Sequence, residues 1–101
     1  MKKVTIIIPK RDNEGNKFPT NTMAEIQKEI LRNYGGYTVR EVRGAWLGDD
    51  GKTYIDDSWE YVIVMDDKGV EVIKKWLVKV RDLLRQQAMY LEVSEAEVKF
   101  I

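Results

Sequence analysis

The chain contains no cysteine and no histidine. Without cysteine there are no disulfides, no thiol nucleophile and no thiolate metal ligand. Without histidine the imidazole general base is gone, and the usual zinc ligands are missing with it. Any catalysis falls to carboxylates, Lys, Tyr, Ser or Thr, or to a metal held by oxygen ligands. No cofactor-binding motif is present, so no cofactor is expected. Net charge is also lacking: 17 basic side chains balance 17 acidic ones. A whole-molecule pull toward nucleic acid or a membrane surface is therefore absent. No apolar run approaches the length of a membrane span. Met1-Lys2-Lys3-Val4 leads straight into a strand-like run stopped by Pro9, with no signal-peptide core. The expected compartment is the cytoplasm, and nucleic acid and membrane are not expected partners.

What is present is a single-domain composition. Of 101 residues, 44% are apolar and 34% charged, the balance of a globular chain. A domain of this size buries about 60–65% of its unfolded surface. One domain over residues 1–101 is expected.

Six hydrophobic segments read β-α-β-β-α-β. Val4-Thr5-Ile6-Ile7-Ile8 is short, β-branched and apolar on both faces, as a central strand requires. Thr22-Met23-Ala24-Glu25 has the pattern of a capping box. Met23, Ile26, Ile30, Leu31 and Tyr34 follow at helical spacing, and Gly35-Gly36 ends the helix. Tyr37 to Leu47 is the second strand, with a change of phase between Val39 and Val42 that predicts a bulge. Gly48-Asp49-Asp50-Gly51 makes a hairpin turn into a third strand, Tyr54 to Met65. Asp66-Asp67 caps a second helix whose buried stripe is Val70, Ile73, Trp76, Leu77, Val80, Leu83 and Leu84. Met89 to Val93 is the fourth strand. Val98 to Ile101 is a candidate short fifth strand at the edge.

Right-handed crossovers leave few topologies for this order. The simplest is a ferredoxin-like α+β sandwich, an antiparallel sheet with two helices on one face. It brings the end of the first strand, the central hairpin and the C-terminal region to one rim. Arg11, Asp12, Asn13, Trp46, Asp56 and Asp57 then become neighbours and form the candidate ligand-binding cluster. Arg11 supplies an anion contact, Trp46 an apolar wall, and the carboxylates polar contacts. The plainer reading of Asp12-Asn13-Glu14-Gly15 is an ordered turn with Asx side chains on its own backbone. For Asp56-Asp57 the plainer reading is a solvated strand start. Neighbouring strand residues point to opposite faces, so these two do not form an acid/base pair.

The sheet face away from the helices is expected to carry some set of Ile7, Trp59, Tyr61, Ile63 and Tyr90. That much aromatic surface favours a homodimer through the sheet, with a ligand groove or protein partner as the alternative.

Other patterns fail on spacing. Gly51-Lys52-Thr53 lacks the P-loop's first glycine, since Trp46 stands there, and it leads into a strand. Asp49 to Asp57 has neither the alternating ligands nor the terminal Glu of a calcium loop. Lys and Arg on the second helix suit a solvated face. Trp59 and Tyr61 alternate as in RNA-recognition sheets, without the basic-Gly-aromatic signature. Gln86-Gln87 closes the second helix and can serve backbone groups or a ligand.

Several short pieces resemble small uncharacterised bacterial, plasmid and phage proteins with a DUF3574-like pattern. They are Ile8-Pro9 with Arg11-Asp12-Asn13-Glu14-Gly15 and Phe18; Tyr34-Gly35-Gly36-Tyr37-Thr38; Gly44-Ala45-Trp46; Tyr54 with Asp56-Asp57-Ser58; and Gln87-Ala88-Met89-Tyr90. The Asp-Asn-Gly loop after the first strand departs from the family. The resemblance implies a fold and no mechanism. The leading expectation is a small protein that binds a polar ligand or a protein partner at the strand-end cluster. The alternatives are a metal-dependent phosphodiesterase or nuclease using Asp12 and a second carboxylate, and a phage- or plasmid-borne inhibitor of a host protein.

Overall fold

The computed structural model covers residues 1–101. Its elements run β1 (Lys2–Pro9), α1 (Thr20–Tyr34), β2 (Thr38–Leu47), β3 (Thr53–Met65), α2 (Asp67–Leu83) and β4 (Tyr90–Glu95). The four strands form one antiparallel sheet in the order β2-β3-β1-β4. This is the ferredoxin-like α+β sandwich.

Strand alternation decides which side chains meet the helices. Val4, Ile6 and Ile8 of β1 are fully buried, and their partners on β3 are Ile63, Tyr61 and Trp59. These residues join Ile26 and Ile30 of α1 and Val70, Ile73, Leu77 and Val80 of α2 in one core. Each helix thus contributes one apolar stripe and leaves its charges in water. Gly35 ends α1 in the left-handed conformation at φ 82°, and its N–H bonds the Leu31 carbonyl. The Asp66 side chain caps α2 by accepting from Gly69 N at 2.7 Å.

Five local expectations are corrected. Trp59, Tyr61 and Ile63 lie on the helix side of the sheet, opposite β1's core residues. Tyr61 is fully buried, and Gln27 of α1 donates to its hydroxyl at 3.0 Å. Period two fixes a strand's two faces but not which of them the helices cover. Second, α1 begins at Thr20 with Pro19 in the capping position, so Thr22 and Glu25 sit inside the helix and form no box. A Pro just ahead of the first turn costs no helical hydrogen bond. Third, β2 pairs with β3 in unbroken register from Thr38–Val62 to Leu47–Thr53, without a bulge. Val39 and Val42 point to opposite faces, and each is half-buried. Fourth, Val98 to Ile101 pairs with nothing. Fifth, Leu83 is exposed, because it precedes buried Leu84 by one residue and so lies about 100° off the stripe.

The molecule is elongated, 46 × 28 × 24 Å. The β2–β3 hairpin causes this. β1 meets β3 only as far as Pro9–Ser58, so the hairpin from Arg43 to Asp57 projects past the body of the sheet. The C-terminal segment lies at the other end, where Ala96 N donates to the Met1 carbonyl at 3.0 Å. It does not share the hairpin's rim as the topology alone had suggested.

Candidate functional site

The sheet face not covered by helices carries alternate residues of each strand. On β3 these are Tyr54, Asp56, Ser58, Glu60 and Val62. Opposite them on β2 stand Trp46, Gly44, Val42, Arg40 and Thr38. At the hairpin end, this face and the loop after β1 enclose a cleft of about 470 Å³. Arg11, Asp12, Asn13, Trp46 and Asp56 all line it, together with Tyr54, Ser58, Gln86 and Tyr90. Five of the six residues selected from the sequence therefore converge on one cavity.

Asp57 does not. Its side chain is on the helix side, where Arg43 Nε donates to Oδ1 at 2.9 Å. That hydrogen bond, aided by the guanidinium charge, holds the Asp57 carboxyl below the usual range and the Arg43 guanidinium above its own.

Trp46 and Tyr54 face each other across the β2–β3 ladder. Their rings stack with centroids 4.7 Å apart and planes inclined by 19°. Trp46 Nε1 donates to Asp56 Oδ2 at 2.8 Å. The Tyr54 hydroxyl bonds the Asp50 carboxylate in the turn; this raises the phenol's pKa and lowers that of Asp50. The aromatic pair is thus braced at both edges, yet Trp46 remains 54% exposed. A braced and exposed aromatic pair is a stacking platform.

The loop wall is held by its own backbone. Asp12 Oδ1 accepts from Glu14 N at 3.0 Å and Asn16 N at 2.8 Å, which is the Asx turn anticipated as the plain reading. Arg11 donates to the Gly15 carbonyl at 3.2 Å and enters no ion pair with a carboxylate, which leaves guanidinium N–H groups for a ligand. Asn13 Nδ2 donates to the carbonyl of Arg85, a residue with φ 55° just past α2. That bond ties the loop to the segment carrying Gln86. Gln86 Nε2 donates in turn to the Leu84 carbonyl at 3.1 Å. Gln86 serves the backbone and also faces the cleft.

Tyr54 and Ser58 were legible: they stand two residues either side of Asp56 and share its face. Tyr90 was anticipated on the open face but not at the cleft. It neighbours Ile7 across β1–β4. No group of three or more carboxylates is placed to hold a metal ion. A separate groove of about 330 Å³ runs between the outer faces of α1 and α2 past Glu29 and Trp76, and touches none of the cleft residues. No helix is long and apolar enough to cross a membrane.

No protein-family model and no curated protein matches the chain. Solved structures do share its fold. A phage SAM lyase in complex with S-methyl-5′-thioadenosine superposes with a TM-score of 0.71 at 12% identity, over 93% of this chain and 80% of the other. The periplasmic divalent cation tolerance protein CutA from Archaeoglobus fulgidus gives 0.70 at 10% identity, over 99% and 88%. The PII-like protein CutA from Nostoc sp. PCC 7120 gives 0.65 at 13%, over 96% and 82%. At such identities the likeness establishes the ferredoxin-like fold alone.

Proposed function

We propose that this chain is a binding protein whose open-face cleft takes a small polar ligand with a planar ring, of the adenine-nucleoside class. The carrying observation is the braced Trp46–Tyr54 pair beside Arg11, Asp12, Asn13 and Asp56 in one cavity. A purine ring stacks on an exposed indole, and the carboxylates of Asp12 and Asp56 each keep an oxygen for ribose hydroxyls. The cleft is of ordinary size for a small molecule. The phage SAM lyase of the same fold carries S-methyl-5′-thioadenosine, a nucleoside of this kind, which supports the choice of ligand class. Calorimetric titration with S-methyl-5′-thioadenosine tests it. Saturable binding that is lost in Trp46→Ala is the expected result. Equal binding by both proteins, or none by the wild type, contradicts it.

The metal-dependent phosphodiesterase or nuclease reading has less support. Asp57 is turned away and paired with Arg43, and one Asp12 oxygen is already committed to two backbone N–H groups. Self-association through the open face remains a second reading. It is favoured by exposed Trp46, Tyr54 and Tyr90, although Arg40 and Glu60 place an ion pair in the middle of that face.

A further inference from the structure

Beyond Asp57, β3 has a strand on one side only. Lys10 N donates to the Asp57 carbonyl at 3.1 Å, and no backbone group reaches β3 from the β1 side further along the hairpin. Because backbone groups alternate along a strand, those of Ile55 and Thr53 point the same way as those of Asp57. They form a short open edge. The other two edges are guarded by charge, with Arg40, Glu41 and Arg43 on β2 and Glu92 and Glu95 on β4. Natural sheets use such charges to repel added strands. Thr53, Tyr54 and Ile55 carry none, and Ile55 and its cross-strand neighbourhood at Leu47 are 64% and 72% exposed.

At the far end of the molecule is a segment with the complementary deficiency. Residues 97–101 make no backbone hydrogen bond within the chain. Phe100 is 96% exposed, and Ile101 is fully exposed. The sequence Val98-Lys99-Phe100-Ile101 has strand character, which is why a fifth strand was expected there. It cannot reach its own hairpin. From Met65, level with Lys2 and the chain's C-terminal segment, to Ile55 is ten positions along β3, about 33 Å at strand rise. The five residues after Ala96 extend about 17 Å at most.

We infer that Val98–Ile101 of one copy of this chain pairs with the open Thr53–Ile55 edge of a second copy. Strand addition satisfies backbone groups on both sides and covers Phe100, Ile101 and Ile55. The docked segment flanks the cleft, since Tyr54 and Asp56 on the same stretch of β3 line it. One tail per hairpin closes the assembly either as a reciprocal pair or as a ring.

Two measurements test this inference. The first is solution mass by light scattering of the wild type, a variant lacking residues 98–101, Ile55→Lys and Tyr90→Lys. The wild type is expected above its monomer mass of 11.8 kDa. The deletion and Ile55→Lys each weaken association by about tenfold or more, while circular dichroism and melting stay those of a folded monomer. The second is cross-linking with a short bismaleimide, clean because the chain has no cysteine of its own. Ile55→Cys and Phe100→Cys, purified separately and then mixed, give a heterodimeric product; Val72→Cys with Phe100→Cys does not. A monomeric wild type overturns the inference. So does assembly that survives the deletion and fails only in Tyr90→Lys, which assigns the contact to the open sheet face.

Discussion

The indole of Trp46 and the carboxylate of Asp56 are joined across the β2–β3 hairpin at 2.8 Å, both on the sheet face that no helix covers. They are not directly opposite. Trp46 pairs with Tyr54 and Gly44 with Asp56, so the contact is diagonal. The bond fixes the ring against Tyr54 and leaves its other face to solvent.

Asp56→Asn is expected to loosen this brace without emptying the cleft. An amide oxygen still accepts from the indole, but the charge assistance is gone. Loss of about 0.5–1.5 kcal/mol of orientation weakens nucleoside binding by about twofold to thirteenfold. Trp46→Ala abolishes the platform and costs more. Titration calorimetry on both variants checks the order.

Gly48→Ala disturbs the same platform without replacing a lining residue. A Cβ at Gly48 falls 2.6 Å from Tyr54 Cε2 and 2.8 Å from Asp50 Oδ1. The Tyr54 ring has to move off its stacking position. Weaker binding with a nearly unchanged melting temperature is the expected pair of results.

Asp57→Asn separates the two faces. Asp57 lies outside the cleft, so nucleoside affinity is expected to stay within about twofold of wild type. Stability changes instead, and the difference from wild type disappears on the acid side. Arg43 depresses the folded carboxyl below its unfolded value. The stabilisation is therefore present above the ordinary Asp range near 4 and is lost as pH falls through the lowered value. The variant lacks that part of the acid limb in urea midpoints measured against pH.

Tyr61→Phe acts at the opposite extreme. Burial pushes the Tyr61 phenol above its ordinary value. The unfolded chain ionises first, near pH 10, so the wild type loses stability as pH rises from there toward the folded value. The Phe variant loses the Gln27 hydrogen bond, about 1 kcal/mol at neutral pH, and shows a shallower alkaline decline. Urea midpoints between pH 7 and 11 separate the two effects.

The order of elements was legible because each segment carries its own signal. β-branched runs stop at Pro9, helical stripes end at Gly35, and Asp66 caps α2. Convergence of Arg11, Asp12, Asn13, Trp46 and Asp56 followed from topology, since β1 and the hairpin share one end of the sheet. What was not legible is which face of β3 the helices cover. Trp59 and Tyr61 look like surface aromatics by alternation alone, and only the packing of Ile26, Ile30 and Ile73 draws them inward. Asp57 follows the same face as Trp59. The choice between Asp56 and Asp57 was thus settled by tertiary packing, to which an adjacent pair of identical residues gives no clue.

The most direct measurement follows the side-chain N–H signals of Trp46, Trp59 and Trp76, and of Asn13, by NMR during titration with S-methyl-5′-thioadenosine. The account predicts saturable shifts of the Trp46 indole and the Asn13 amide, with Trp76 unmoved. Saturable shifts confined to Trp76, in the groove between the helices, or no shift at millimolar ligand, contradict it.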